Sequence, residues 1–231
     1  MDSVPRGRMT EHLSIVDAVR RAGDSFAFKK GELAFLSLTS KVEHAFRDRV
    51  AFQLHLGTHG APRSGRRMLS SDIVAREYSI PGVKRGAADV AVLTGSRVRL
   101  ILEVKAMSGG TSGTVQLREL QKDLNRYAVS RIDCSIYCLL IAARPLERPP
   151  DTLRPNVIKY LKESQRKFKT YGDAPKIESH IRQTLAKSLL SSRLELATDR
   201  IAGGIAFGVP VELLWWLYGP FRPPSQLTIL R

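Results

Sequence analysis

Gly86-Ala-Ala-Asp89-Val-Ala-Val-Leu-Thr-Gly95-Ser-Arg-Val-Arg-Leu-Ile-Leu-Glu103-Val-Lys105 decides how the chain is read. Asp89 to Leu93 and Val98 to Val104 are β-branched and aliphatic runs, and the short turn Thr94-Gly95-Ser96 between them predicts an antiparallel hairpin. Antiparallel pairing sets the start of one arm beside the end of the other, so Asp89 and Glu103 converge. Side chains alternate along a strand, which puts Glu103 and Lys105 on one face and turns Val104 into the core. Two carboxylates on one small patch repel each other. A hard divalent cation with oxygen ligands, Mg²⁺ for example, relieves that repulsion.

Working outward, Gly31 to Leu56 carries a helical stripe through Leu33, Leu36, Val42, Phe46, Val50 and Leu54. A Gly- and Arg-rich loop, Gly57 to Arg67, separates it from a further strand at Ile73 to Ile80. Beyond the hairpin, Ser108 to Gly113 is a flexible stretch leading into a helix at Val115 to Ser130. Cys134 to Ala142 is then a continuous apolar run, as expected of a strand covered on both faces. Helix, three strands, helix and strand make an α/β layer architecture. Prolines 145, 149, 150 and 155 mark a boundary, after which helices are expected at Val157 to Phe168 and Ile177 to Leu196. The domain reading is an N-terminal segment (1–30), a core (31–145) and a basic and apolar, mainly helical C-terminal extension (146–231).

With this order around Asp89, Glu103 and Lys105, the stretch from about Gly31 to Ala143 resembles the PD-(D/E)xK nuclease superfamily, which includes many restriction and repair nucleases. Ala88 stands where that family often has proline. The resemblance implies a restriction-endonuclease-like core, a mixed central sheet flanked by helices, and a metal-dependent DNA endonuclease that hydrolyses phosphodiesters. It implies Asp89 and Glu103 as metal ligands, the Val104 carbonyl as a further ligand, and Lys105 as the residue that orients water and steadies charge on the phosphate. Mg²⁺ is the implied cofactor, with Mn²⁺ able to substitute. Family members often add a carboxylate from the first helix; Glu43 is the candidate, ahead of Glu32, and the competing account makes Glu43 an i,i+4 partner of Arg47. Some relatives place a glutamine and a tyrosine on the following helix; Gln121 and Tyr127 lie six apart, which departs from that spacing.

The charge supports a polyanionic partner. Lys and Arg number 37 against 22 Asp and Glu, a formal net charge of +15, and phosphate binding by such a surface releases condensed counterions. Arg63, Arg66 and Arg67 in the basic loop, the pair Lys84 and Arg85 just before Asp89, and Gln121 are the candidate nucleic-acid contacts. Arg154, Lys159, Lys162, Arg166, Lys167 and Lys169 form a second basic segment that extends such a footprint. DNA is the expected substrate, with RNA as another polyanion the charge admits. A non-catalytic nucleic-acid-binding module on the same fold is the alternative function.

Two cysteines, Cys134 and Cys138, exclude a disulfide framework or an all-cysteine zinc site by their number. His55 and His59 are four apart with Gly57 between them, and read as loop histidines rather than zinc ligands. No secretory signal opens the chain, so a cytoplasmic location is expected. Ile201 to Tyr218 is apolar and carries Trp215 and Trp216; its Pro210, Glu212 and glycines argue against a membrane span. The expectation for it is a core or homodimer-interface element, a dimer suiting an enzyme that cuts both strands.

Overall fold

The computed structural model describes residues 6–27, 30–58, 72–81, 86–107, 114–130, 132–153, 158–186 and 195–221. Six helices and six strands are assigned among them: α1 (Arg6–Ala27), α2 (Glu32–Thr39), α3 (Val42–Thr58), β1 (Asp72–Tyr78), β2 (Ala88–Thr94), β3 (Arg97–Ala106), α4 (Thr114–Val129), β4 (Ser135–Pro145), α5 (Leu161–Tyr171), α6 (Ala174–Ala186), β5 (Glu195–Ala206) and β6 (Val209–Phe221). The strands form one mixed sheet in the order β1-β2-β3-β4-β6-β5. Only the β3–β4 step is parallel; the other neighbours run antiparallel. A parallel step needs a crossover, and α4 supplies it.

Helices cover both faces, as the alternation of the strands requires. Leu100, Leu102 and Val104 of β3 pack with Val19 and Phe26 of α1 and Phe46 and Val50 of α3. On the opposite face Ile101 packs with Leu120, Leu124 and Tyr127 of α4 and Ile177 and Ile181 of α6. A smaller cluster at the sheet end joins Ala34 and Leu38 of α2 to Leu161 of α5 and Val211 of β6.

Several expectations need correction. The long helix over Gly31 to Leu56 is two helices, broken at Ser40, whose backbone is extended (φ −143°, ψ 179°). The Ser37, Thr39 and Ser40 hydroxyls donate to the carbonyls of Leu33, Phe35 and Leu36, a local competition that ends α2 and places Glu43 in the first turn of α3. Within the N-terminal segment, α1 supplies Ile15, Val19, Ala22 and Phe26 to the core.

The mainly helical C-terminal extension is the largest correction. Its two helices are present, but a β-hairpin follows and extends the same sheet: β6 pairs with β4 along Ile136 to Pro145. Leu213, Trp215 and Leu217 face one core while Leu214, Trp216 and Tyr218 face the other, so the apolar run 201–218 largely reflects a strand buried on both sides. Among the described residues no helix is long and apolar enough to cross a membrane. Arg144, buried on β4, fastens this region from within: it pairs with Glu178 of α6 at 2.7 Å and Glu212 of β6 at 2.6 Å, and donates to the Ala174 carbonyl at 2.9 Å.

Candidate active site

The hairpin brings Asp89, Glu103 and Lys105 together. Val90 lies opposite Leu102, which sets Asp89 across from Glu103 at the end of the ladder. Lys105 Nζ lies 3.3 Å from Glu103 Oε2 and 3.6 Å from Asp89 Oδ2. Asp89 Oδ2 also accepts the Val104 N–H at 2.9 Å, which locks the carboxylate against β3. Val104 thus touches Asp89 through its amide, while its side chain is buried in the core.

Three further residues complete the cluster, and sequence reasoning did not assign them to it. Asp123 of α4 lies 3.0 Å from Lys105 Nζ, so that ammonium meets three carboxylates. Tyr127, one turn further along α4, donates its hydroxyl to Glu103 Oε1. Arg47 of α3, only 6% exposed, reaches Asp89 Oδ1 at 3.5 Å and Glu77 of β1 at 3.1 Å. Arg47 therefore does not pair with Glu43 in the way that helical spacing offered. Glu43 instead turns to the sheet, where Oε2 accepts the Ala106 N–H at 2.8 Å.

Gly86 shows how closely α4 approaches the hairpin. Its φ is +123°, a conformation that favours glycine, and the Arg126 guanidinium lies against it in the space a Cβ would take. Arg126 is in turn held by Asp123.

Electrostatics follow from burial. Glu103 is 1% exposed, and its pKa is pushed up to about 8 by desolvation and then by Asp89, against the opposing pull of Lys105 and Tyr127. Burial opposes the Lys105 charge, but Glu103, Asp89 and Asp123 outweigh it and hold the ammonium protonated. Burial and Glu103 raise Tyr127 as well, so it remains a hydrogen-bond donor at any ordinary pH.

A cavity of about 470 Å³ opens beside this cluster, lined by Glu43, Lys105, Asp123 and residues of α5. Other candidates lie elsewhere. Gln121 Nε2 donates to Asn125 on the exposed side of α4, away from the acidic cluster. Glu32 faces Arg49 at 3.8 Å. Arg63, Arg66, Arg67, Lys84, Arg85, Arg154 and His59 fall outside the described residues. His55 sits in the last turn of α3, and Cys134 and Cys138 are free, Cys138 being buried in the core. Lys167 of the second basic segment is not on the outer surface: it is 7% exposed and lines the cavity.

Among the described residues, no group of three or more His, Cys, Asp or Glu side chains is arranged to hold a metal by itself. No family model matches the chain, and neither a curated protein nor a solved structure matches it.

Proposed function

We propose that the chain is a divalent-cation-dependent nuclease of the PD-(D/E)xK class that hydrolyses phosphodiester bonds in DNA. The observation that carries this reading is the meeting of Asp89 and Glu103 on one cationic point, with oxygens 3.6 and 3.3 Å from the same nitrogen. Mg²⁺ uses one or two carboxylates and completes its shell with water and substrate phosphate, so a two-carboxylate donor set fits it where a closed cage would not. Asp89 and Glu103 would hold the cation, and Glu43, at the end of β3, lies on the wall of the same cavity. When bound, the cation supplies Lewis-acid stabilisation of charge on the phosphoryl oxygens and makes water a better nucleophile near neutral pH.

The chain's own residues then have distinct tasks. Tyr127 fixes the rotamer of Glu103, and the Val104 amide and Arg47 fix Asp89. Lys105 keeps its proton and is placed to donate to the attacking water or to a phosphate oxygen as negative charge builds there. The excess of 37 basic over 22 acidic residues supplies the attraction to a polyanion.

The second reading, a nucleic-acid-binding module without catalysis, is favoured by one observation. Lys105 already balances the acidic pair internally through its short contacts. Supercoiled, linear and branched DNA incubated with Mg²⁺ or Mn²⁺ separates the two. Cleavage by the wild-type protein that is lost in Asp89→Asn, Glu103→Gln and Lys105→Met supports the nuclease. DNA left intact by wild-type protein that binds it, or cleavage surviving all these substitutions, overturns it.

A further inference from the structure

The cavity beside the acidic cluster has a second wall, built by α5, that the proposed chemistry does not use. Glu163, Ser164 and Lys167 line it, facing Glu43, Lys105 and Asp123. Lys167 is only 7% exposed, yet its ammonium makes no hydrogen bond or ion pair among the described residues. Its stem is packed away and its head is left toward the cavity. Glu163 Oε1 is buried with no hydrogen-bond partner, one helical turn before Lys167. Burial pushes the Lys167 pKa down to about 8, with Glu163 opposing that shift. A cation whose residue is mostly buried, and which lines a cavity without a partner, is placed to receive an anion.

We propose that this cavity binds a single nucleotide of the nucleic-acid substrate, with a phosphate on Lys167. The assignment rests on the nuclease reading for its substrate class and adds the form in which the substrate is presented. A cavity of about 470 Å³ is of the size that takes a small organic ligand such as one nucleotide. The nucleotide therefore enters from a strand end or after turning out of the stack. Because Lys105 and Asp123 form the opposite wall, the phosphodiester adjoining that nucleotide is delivered to the acidic cluster. The enzyme thus acts on ends, single strands or unpaired positions in preference to intact duplex.

Titration calorimetry in EDTA with deoxyadenosine 5′-monophosphate, deoxyadenosine and inorganic phosphate tests this without any cleavage step. The monophosphate should bind the full chain at least about tenfold more tightly than the nucleoside, and Lys167→Met should remove that difference. Amine acylation of the wild-type protein, followed by peptide mass spectrometry, gives an answer independent of how the variant folds: the monophosphate should protect Lys167. Absence of monophosphate binding, absence of protection, or equal binding by Lys167→Met each overturn the assignment. The two readings also fail differently. Lys167-dependent binding in a protein that cleaves nothing would retain the pocket and remove the nuclease. Metal-dependent cleavage with an unchanged KM for single strands in Lys167→Met would retain the nuclease and remove the pocket.

Discussion

Replacing Lys105 with methionine keeps most of the side-chain volume and deletes the one charge that holds three carboxylates together. Its nitrogen lies 3.0 Å from Asp123, 3.3 Å from Glu103 and 3.6 Å from Asp89. The side chains concerned are 17% exposed for Lys105, 13% for Asp123, 2% for Glu103 and 17% for Asp89, so solvent screens the resulting repulsion poorly. Removing one partner of a buried pair costs about 3–5 kcal/mol; partial exposure argues for the lower end, about 3 kcal/mol. For a chain of this size each kcal/mol moves Tm by about 2–4 °C, which gives a fall of roughly 6–12 °C. Glu103, with its pKa already near 8, can relieve part of the repulsion by keeping its proton at neutral pH. Loss of Lys105 removes a group that lowers the Glu103 pKa, so the comparison is made from about pH 7 to 10, by circular dichroism with and without MgCl₂. If Asp89 and Glu103 hold Mg²⁺, a concentration about 100-fold above its Kd returns about 2.7 kcal/mol, which restores nearly the whole loss. The rescue should exceed any gain in wild type, where the ammonium competes, and should vanish when Asp89→Asn is added. A variant as stable as wild type in EDTA would refute the electrostatic account. A destabilised variant indifferent to Mg²⁺ would refute the cation site.

Lys167→Met should raise stability at neutral pH, because it removes a buried charge whose pKa is lowered by desolvation from 10.5 to about 8. The sign follows from linkage: the unfolded chain binds the extra proton between pH 8 and 10.5, so the wild type gains about 3 kcal/mol as pH rises through that window and the variant's advantage disappears there. The charges bordering Lys167 are Glu163 and Arg166 on α5 and, across the cavity, Lys41, Glu43, Lys105, Glu119 and Asp123. Denaturant titrations across pH 7–11 check it, and an advantage that persists unchanged to the alkaline end contradicts it. Tyr127→Phe leaves Glu103 Oε1 without its buried donor and should cost about 1–3 kcal/mol in urea unfolding, with cleavage reduced through kcat more than KM. Arg144→Met should cost about 3 kcal/mol, since Glu178 and Glu212 lose their buried partner and, among the described residues, Arg182 and Arg200 remain as their ion-pair partners; a Tm shift under about 2 °C would exclude that role.

The convergence of Asp89, Glu103 and Lys105 was legible because strand alternation and a short turn are local properties of the sequence. The α4 contribution was less so, since the rotation of a crossover helix over a sheet is set by packing. A signal was nonetheless present: Leu120, Leu124 and Tyr127 mark the buried stripe of α4, and Asp123 lies within it. A carboxylate in a buried stripe calls for a cationic partner, and Lys105 provides it. Arg47, between Phe46 and Val50 of α3, carried a similar signal. The C-terminal hairpin was misread for a different reason. When alternate residues of a strand face two separate cores, every position is apolar and the period of two disappears. Gly208, at φ +72° in the turn between β5 and β6, was the local mark of the hairpin.

The last third of the chain alters what the first two thirds can do. β3 and β4 run parallel, and a crevice forms beyond their carboxyl ends, where chains in open α/β sheets characteristically bind ligands. Ala106 at the end of β3, Met107 after it, and Ala143 and Pro145 of β4 line that crevice, as expected from this topology. The helix, strands and crossover up to β4 leave it open on the side away from α3 and α4. β6 adds Val211, and α5, seated through Leu161 on α2, closes the wall with Glu163, Ser164 and Lys167. On the proposed reading, an open groove would accept a duplex backbone from the side, whereas this cavity takes a single nucleotide. A chain ending after β4 would lose Leu214 and Trp216 from the core along with this wall. If the cavity selects the substrate as proposed, selection and folding depend on the same C-terminal elements, and deleting them would remove part of the sheet along with the cavity wall. On the same reading, a point change at Lys167 would relax the substrate preference while leaving the strands in place.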